Sequence, residues 1–257
     1  MMRTDLAIDK KTDKNNIICE EKTDGIRVYK SLDEKEKHIT IAFPPPDMIT
    51  NSETLEKEIE IALKTLMPQN YENILVIGLG NTEITPDAIG PLTAKNLLAT
   101  RHIKGEFSEK IGLKGLKSVS VVCPNVLGKT GIEAAELVKS IVDKIKPEAV
   151  IVIDALASSG ADRLFRTVQL CNTGISPGSG VKNRRKEISQ RVLGIPTIAV
   201  GIPTVMDIKG LTNTETQMIV TPKDVDYLCN KVTEILSRSL NFFLQPEIER
   251  EIILSLV

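Results

Sequence analysis

The 257-residue sequence predicts an α/β fold: three layers around a largely parallel central sheet, with an N-terminal β-hairpin arm. Three observations predict it. Residues 74–80, 118–124, 149–156 and 197–203 are short runs rich in Val, Ile and Ala. They are continuously apolar rather than alternating, as strands buried on both faces are. Helical patterns at 87–100 and 131–145 lie between these runs, and strand–helix alternation is the signature of a sheet covered on both sides. Residues 1–50 read differently, with two β-rich stretches about a charged turn.

In chain order, "GIRVYKS" and "KHITIAFPPP" flank "LDEKEK" and form the hairpin. Pro44, Pro45 and Pro46 then break the chain. Residues 51–67, "NSETLEKEIEIALKTLM", have capping residues and apolar spacing of three and four, so they form a helix. "ILVIGLG" is the first core strand and ends in the turn Gly78-Leu79-Gly80-Asn81. Helix 87–100, strand 118–124, helix 131–145 and strand 149–156 follow. "FRTVQL" at 165–170 is a weaker strand, and 197–203 is the last of the strong ones. Residues 221–244 form a long amphipathic helix, with Thr221 as N-cap and Pro222 in the first helical position. The chain is expected to be one domain, 1–257, with 1–50 preceding a main body at 51–257.

The bulk composition excludes several classes. A formal net charge of −1 gives no electrostatic reason to bind nucleic acid or a membrane surface. Aromatic residues are 3% and Trp is absent, which disfavours a base-stacking platform. No apolar run approaches the roughly 18 residues of a membrane span, and the charged N-terminus has no apolar signal core. Cys19, Cys123, Cys171 and Cys229 are far apart, so neither a zinc site nor a disulfide framework is expected. They read as buried, reduced thiols of a cytoplasmic protein.

Two phosphate-loop patterns fail at a required glycine. Gly78-x-Gly80 has Glu83 where the dinucleotide fingerprint needs its third glycine. "GKTG" at 128–131 has Cys123 where a Walker loop needs glycine, so it reads as a turn into the next helix. His38 and His102 are the only histidines, and neither stands in a motif with Ser or Cys. No cofactor and no metal are implied.

Two aspartates remain. Asp87 follows the glycine turn, and Asp154 ends the aliphatic run "AVIVIDAL". Sites in open α/β sheets form beyond the carboxyl ends of the strands, where both acids would lie. A carboxylate among aliphatic residues is costly unless paired or protonated. Two acids in one desolvated site titrate as a coupled pair, and such a pair can activate water and protonate a carbonyl oxygen. As purely structural residues, Asp87 caps helix 87–100 and Asp154 caps a turn; residue pattern leaves both readings open.

In chain order, "RTDLAIDK", "GLGNTEITPDAIGP", "RHI", "PNVLGKTGIEA", "IDALAS", "NTGISPGSGVKNRRKEIS", "LGIPTIAVGIPTVMD" and "VTPKDVD" resemble the germination protease family of spore-forming bacteria. The resemblance covers residues 3–7 and most of 74–240. It implies an atypical aspartic endopeptidase that degrades small acid-soluble spore proteins during germination, in the cytoplasmic compartment of the spore. It places the catalytic pair on Asp87 and Asp154. It also implies a self-processing zymogen, with residues 1–50 holding the prosegment and a cut at the bond between Asp5 and Leu6, and a homotetramer. Cleavage after acidic residues would suit a basic subsite, for which Lys182, Arg184, Arg185 and Lys186 are the candidates. No direct nucleic-acid or membrane partner is implied.

The chain departs from the family pattern in places. Only Met1 and Met2 precede Arg3, so a weak prosegment is expected, and only about a dozen residues separate "IPTVMD" from "VTPKDVD", where members carry a long insertion. Asn172 and Ser176 stand where the family tends to have Asp and His, and Ser158-Ser159 stands in place of Ala-Arg. Two alternatives follow. Glu83 and Asp87 could form part of a metal site like that of hydrogenase-maturation proteases. Alternatively, the chain binds spore proteins without cutting them.

Overall fold

The computed structural model describes residues 17–33, 36–68, 70–103, 115–178, 185–208 and 218–257. Their strands are β1 (Ile18–Glu21), β2 (Arg27–Leu32), β3 (Lys37–Ala42), β4 (Asn73–Gly78), β5 (Ser118–Val122), β6 (Ala149–Ser158), β7 (Thr167–Cys171), β8 (Thr197–Asp207) and β9 (Ile219–Val220). The helices are α1 (Glu53–Leu66), α2 (Ile89–Lys95), α3 (Leu127–Thr130), α4 (Ala134–Ile145), α5 (Gln190–Leu193), α6 (Val225–Leu244) and α7 (Arg250–Leu256).

The strands join in one mixed sheet in the order β1-β2-β3-β7-β8-β6-β4-β5, with β9 paired to β8. Its centre, β8-β6-β4-β5, is parallel. β7 runs antiparallel to β8, and β3 antiparallel to β7. The expected N-terminal hairpin is thus present, gains β1 as a third strand, and is joined to the sheet through β3 and β7.

Alternation along the central strands explains their unbroken apolar runs. Ile74 and Val76 of β4, with Ile151 and Ile153 of β6, pack with residues of α1 and α6. Leu75 and Ile77, with Val150 and Val152, pack on the other face with Ala135, Val138 and Val142 of α4. Side chains of successive strand residues point to opposite faces, so helices on both faces require apolar residues at every position. The hairpin contributes Val28, Ile39 and Ile41 to the first of these clusters.

Helix starts differ from expectation. α6 begins at Val225, because Thr221 donates its hydroxyl to Thr204 O at 2.7 Å and ties the chain to β8 instead of capping a helix. Helix 87–100 is shortened to Ile89–Lys95 behind a 3₁₀ turn at Thr85–Asp87. The "GKTG" turn is the short helix α3, ended by Gly131 in the left-handed region. Strand β6 runs on through Ser158, so Asp154 lies inside a strand and not at a turn. Cys171 and Cys229 are buried, but Cys19 and Cys123 are exposed, against the expectation of four buried thiols. Among the described residues no helix is long and apolar enough to cross a membrane.

Candidate active site

The site begins where β4 stops. Beyond Gly78, Leu79 still donates its N–H to Ile153 O at 2.8 Å, and then the chain leaves the sheet. It leaves through Gly80, at φ 125°, where a Cβ would lie 1.9 Å from Asp87 O. Only glycine fits that approach and that backbone conformation. Asn81 Oδ1 accepts the Glu83 N–H at 3.0 Å, and Asp87 N–H donates to Ile84 O at 2.8 Å. The loop thereby folds back, and Asp87 Oδ2 accepts the Asn81 N–H at 2.9 Å. Asp87 does not cap α2: the cap position is Ala88, without a side-chain bond.

Helix α2 seats against the strands through Gly90, where a Cβ would lie 2.2 Å from Leu79 O and 2.6 Å from Ile153 O. This contact fixes the height of the Asp87 turn above β6.

Asp154 sits in β6 opposite Gly201 of β8 and is 6% exposed. Its Oδ1 accepts the N–H of Ala155 at 2.9 Å. Asp87 and Asp154 line the same cavity of about 420 Å³, together with Gly80, Asn125, Glu133 and Arg185. Burial pushes the Asp87 carboxyl above the ordinary aspartate range, and the Asn81 N–H partly offsets this by favouring the charged form.

Of the basic run, Arg185 and Lys186 line the cavity. The Lys186 ammonium pairs with the Glu136 carboxylate on α4, while Arg185 is placed by its N–H donating to Pro177 O at 3.0 Å. Lys182 and Arg184 lie outside the described residues, as do Asp5 and Leu6. Glu83 is exposed, pairs with Lys129 of α3, and is not part of the cavity wall. Among the described residues no three His, Cys, Asp or Glu side chains gather as a metal-binding group. Neither His38 nor His102 lines the cavity.

Two of the unusual residues, Asn172 and Ser158, serve the scaffold. Asn172 Oδ1 accepts the Lys37 N–H at 2.8 Å, closing the β3–β7 junction. The Ser158 hydroxyl donates to Gly160 O at 2.9 Å. Neither Asn172, Ser158 nor Ser176 lines the cavity. The group that the residue pattern missed is the Asn81 N–H. It is a main-chain donor with no side-chain signature, and its only trace is the tight Gly80-Asn81 step.

A family model for germination proteases matches residues 47–216, which include Asp87, Asp154 and Arg185. A germination protease of Clostridium tetani is 38% identical, over 83% of this chain and 80% of that protein. One from Caldanaerobacter subterraneus is 36% identical, over 95% of this chain and 94% of that protein. The chain belongs to the germination protease family. As a germination protease it is a peptidase, a hydrolase of peptide bonds. A further germination protease, from a Geobacillus strain, is 48% identical over 61% of this chain and 42% of its own length. The fold is also similar to a NiFe hydrogenase maturation protease of Thermococcus kodakarensis, with a TM-score of 0.44 and 15% identity over 71% of this chain and 98% of that one.

Proposed function

We propose that this germination protease is an aspartic-type endopeptidase in which Asp87 and Asp154 form the catalytic pair. The observation that carries the reading is their position: two acids, one in the turn that follows β4 and one within the neighbouring strand β6, line one cavity. Asp87, whose carboxyl is raised by burial, is the acid. It donates its proton to the oxygen of the scissile carbonyl. The Asp154 carboxylate takes a proton from water, and the resulting hydroxide attacks the carbonyl carbon. Collapse of the tetrahedral intermediate breaks the C–N bond as the amine leaves with a proton from the Asp154 carboxyl group, while a hydroxyl of the intermediate returns a proton to the Asp87 carboxylate as the C=O re-forms. General acid–base assistance of this kind contributes about 10²–10⁴-fold per group.

The substrates in this reading are the small acid-soluble spore proteins, cut after acidic residues in the spore's cytoplasmic compartment. Arg185 and Lys186, with Lys182 and Arg184, would meet the acidic side chain before the scissile bond. The enzyme is made as a zymogen that cleaves itself between Asp5 and Leu6, and it works as a homotetramer.

The test is mass spectrometry of the chain incubated with a small acid-soluble spore protein, at neutral and mildly acidic pH, beside Asp154→Asn. Cleavage after acidic residues by the unmodified chain alone is the expected result. Full activity in Asp154→Asn or Asp87→Asn overturns the catalytic assignment. Stable binding of substrate without turnover by the unmodified chain would mean a binding protein. Inhibition by a chelator would favour metal-dependent hydrolysis instead.

A further inference from the structure

β8 carries a bulge beside the cavity. Its ladder with β6 pairs Gly201 with Asp154, Ile202 with Ala155 and Pro203 with Leu156, and resumes with Val205 on Ala157. Thr204 is the extra residue, left out of the register. Bulges are rare between parallel strands and recur beside active sites, where they re-aim a side chain.

The backbone of the bulge is held on both sides. Pro203 O accepts the Phe165 N–H at 2.8 Å, and Thr204 O accepts the Thr221 hydroxyl at 2.7 Å. The Thr204 side chain is not held in this way. The residue is fully buried, and its hydroxyl has no hydrogen-bond partner among the described residues. Among the described residues that wall the cavity with Asp87 and Asp154, Thr204 alone carries such an atom.

A buried hydroxyl without a partner is costly, and valine, of nearly the same shape, would avoid the cost. The hydroxyl therefore adds nothing to the fold of the free protein. Its place in the cavity wall points to a group that enters the cavity. Rotation between staggered χ1 wells exchanges the hydroxyl with the methyl group, so an occupant can be met without moving the backbone.

Position along the strand sets which part of an occupant it meets. Thr204 lies three residues beyond Gly201, the partner of Asp154. At the rise of a strand that is about 10 Å, so the hydroxyl is remote from the atoms that change bonds at Asp154. An extended polypeptide advances by a similar rise, so a bond cut at Asp154 leaves a residue two or three positions away beside Thr204.

We infer that Thr204 is a substrate-binding residue: its hydroxyl hydrogen-bonds the main chain of the bound polypeptide two or three residues from the bond that is cut. This rests on the reading that the Asp87/Asp154 cavity is the site of cleavage. Family membership makes the occupant a polypeptide. A hydroxyl both donates and accepts, so it can pair with a peptide N–H or C=O whatever side chains the substrate carries. The contact lengthens the stretch of substrate that must be extended and in place before cleavage.

The test uses the full-length chain. A labelled synthetic peptide copying residues 2–11, MRTDLAIDKK, is bound to Asp87→Asn, and to Asp87→Asn carrying Thr204→Val or Thr204→Ser, with fluorescence anisotropy as the readout. Thr204→Val is expected to weaken binding about tenfold, the scale of one hydrogen bond, and Thr204→Ser to bind within about twofold of its parent. With Asp87 intact, the loss in Thr204→Val should fall on KM and not on kcat, because the contact is remote from the reacting atoms. Thr204→Val should also unfold at a denaturant midpoint no lower than its parent, since no hydrogen bond of the free protein is lost. Unaltered binding in Thr204→Val, a lowered midpoint, a loss that serine does not recover, or no binding of the peptide at all overturns the inference. Cleavage of the peptide by the unmodified chain is measured separately. Thr204-dependent binding without cleavage leaves the contact standing and sinks the catalytic reading; cleavage with an unchanged KM in Thr204→Val does the reverse.

Discussion

Asp87 Oδ2 accepts the N–H of Asn81 at 2.9 Å, across a loop that begins at the left-handed Gly80. The bond turns a half-buried carboxyl toward the cavity instead of toward the start of α2. The glycine turn after β4 therefore holds an acid, and no phosphate motif is needed to account for it.

Asp87→Asn should separate activity from stability. On the proposed role of Asp87 as the acid, cleavage is expected to fall by about 10²–10⁴-fold. The asparagine oxygen still accepts the Asn81 N–H, so the loop survives. Burial raises the folded-state value of Asp87 above its ordinary 3.8, so the folded state holds this proton more firmly than the unfolded state does. The resulting stability is fully present at pH below the unfolded value and is lost as pH rises through the folded one. The variant escapes that loss. It should be more stable than the parent at neutral pH, with the advantage vanishing in acid, as read by denaturant unfolding across pH.

The same shift sets the pH–rate profile. If Asp87 acts as the protonated group, kcat/KM declines as pH rises through its raised value. A profile flat from mildly acidic to alkaline pH would contradict that role.

Gly80→Ala should be severe. A Cβ at this position meets a backbone oxygen, and φ 125° is strained for alanine. Strain of this kind costs about 1–3 kcal/mol even without the clash, and relief requires moving Asp87. We expect loss of cleavage together with a lowered Tm. Gly128→Ala, where nothing lies within 4 Å, is the control and should leave both nearly unchanged.

Much of this arrangement was legible in the residues. The four apolar runs became β4, β5, β6 and β8, because strands covered on both faces leave a periodicity-free signal. Asp154 stood out because an acid among aliphatic residues is costly, and Asp87 because it follows the glycine turn past the end of an apolar strand. What was not legible depended on distant partners. Thr221 has the look of a helix cap, yet Thr204 O takes its hydroxyl, and no local pattern encodes that. The strand at 167–171 looked weak because its partners, β3 and β8, lie far off in sequence. Cys19 and Cys123 resemble buried thiols in composition alone; their exposure is a property of the packing.

The hairpin is expected to be structural. Ile41 of β3 is fully buried in the larger core cluster. Ile41→Ala should cost about 2–5 kcal/mol and lower the midpoint of one cooperative unfolding transition. A separate early transition for the N-terminal strands, with the main one unmoved, would show that they fold independently.

Thiol labelling tests the packing directly. In the native state Cys19 and Cys123 should react, and Cys171 and Cys229 only after denaturation. Cys123 should be slow for an exposed cysteine, since partial burial raises its thiol and lowers the reactive thiolate fraction. Four fast thiols in the native protein would contradict the burial pattern.

The joint between β3 and β7 has a consequence for how the molecule comes into being. Asn172 closes the Lys37 N–H from 135 residues further along the chain. A ribosome releases the N-terminal hairpin first and its partner strand much later, at about 5–20 residues per second. Through that interval β3 presents an open edge that any nearby strand could pair. The start of this protein must therefore wait for most of the rest to be made, and the joint is the place where synthesis speed and chaperone supply would decide the yield of folded enzyme.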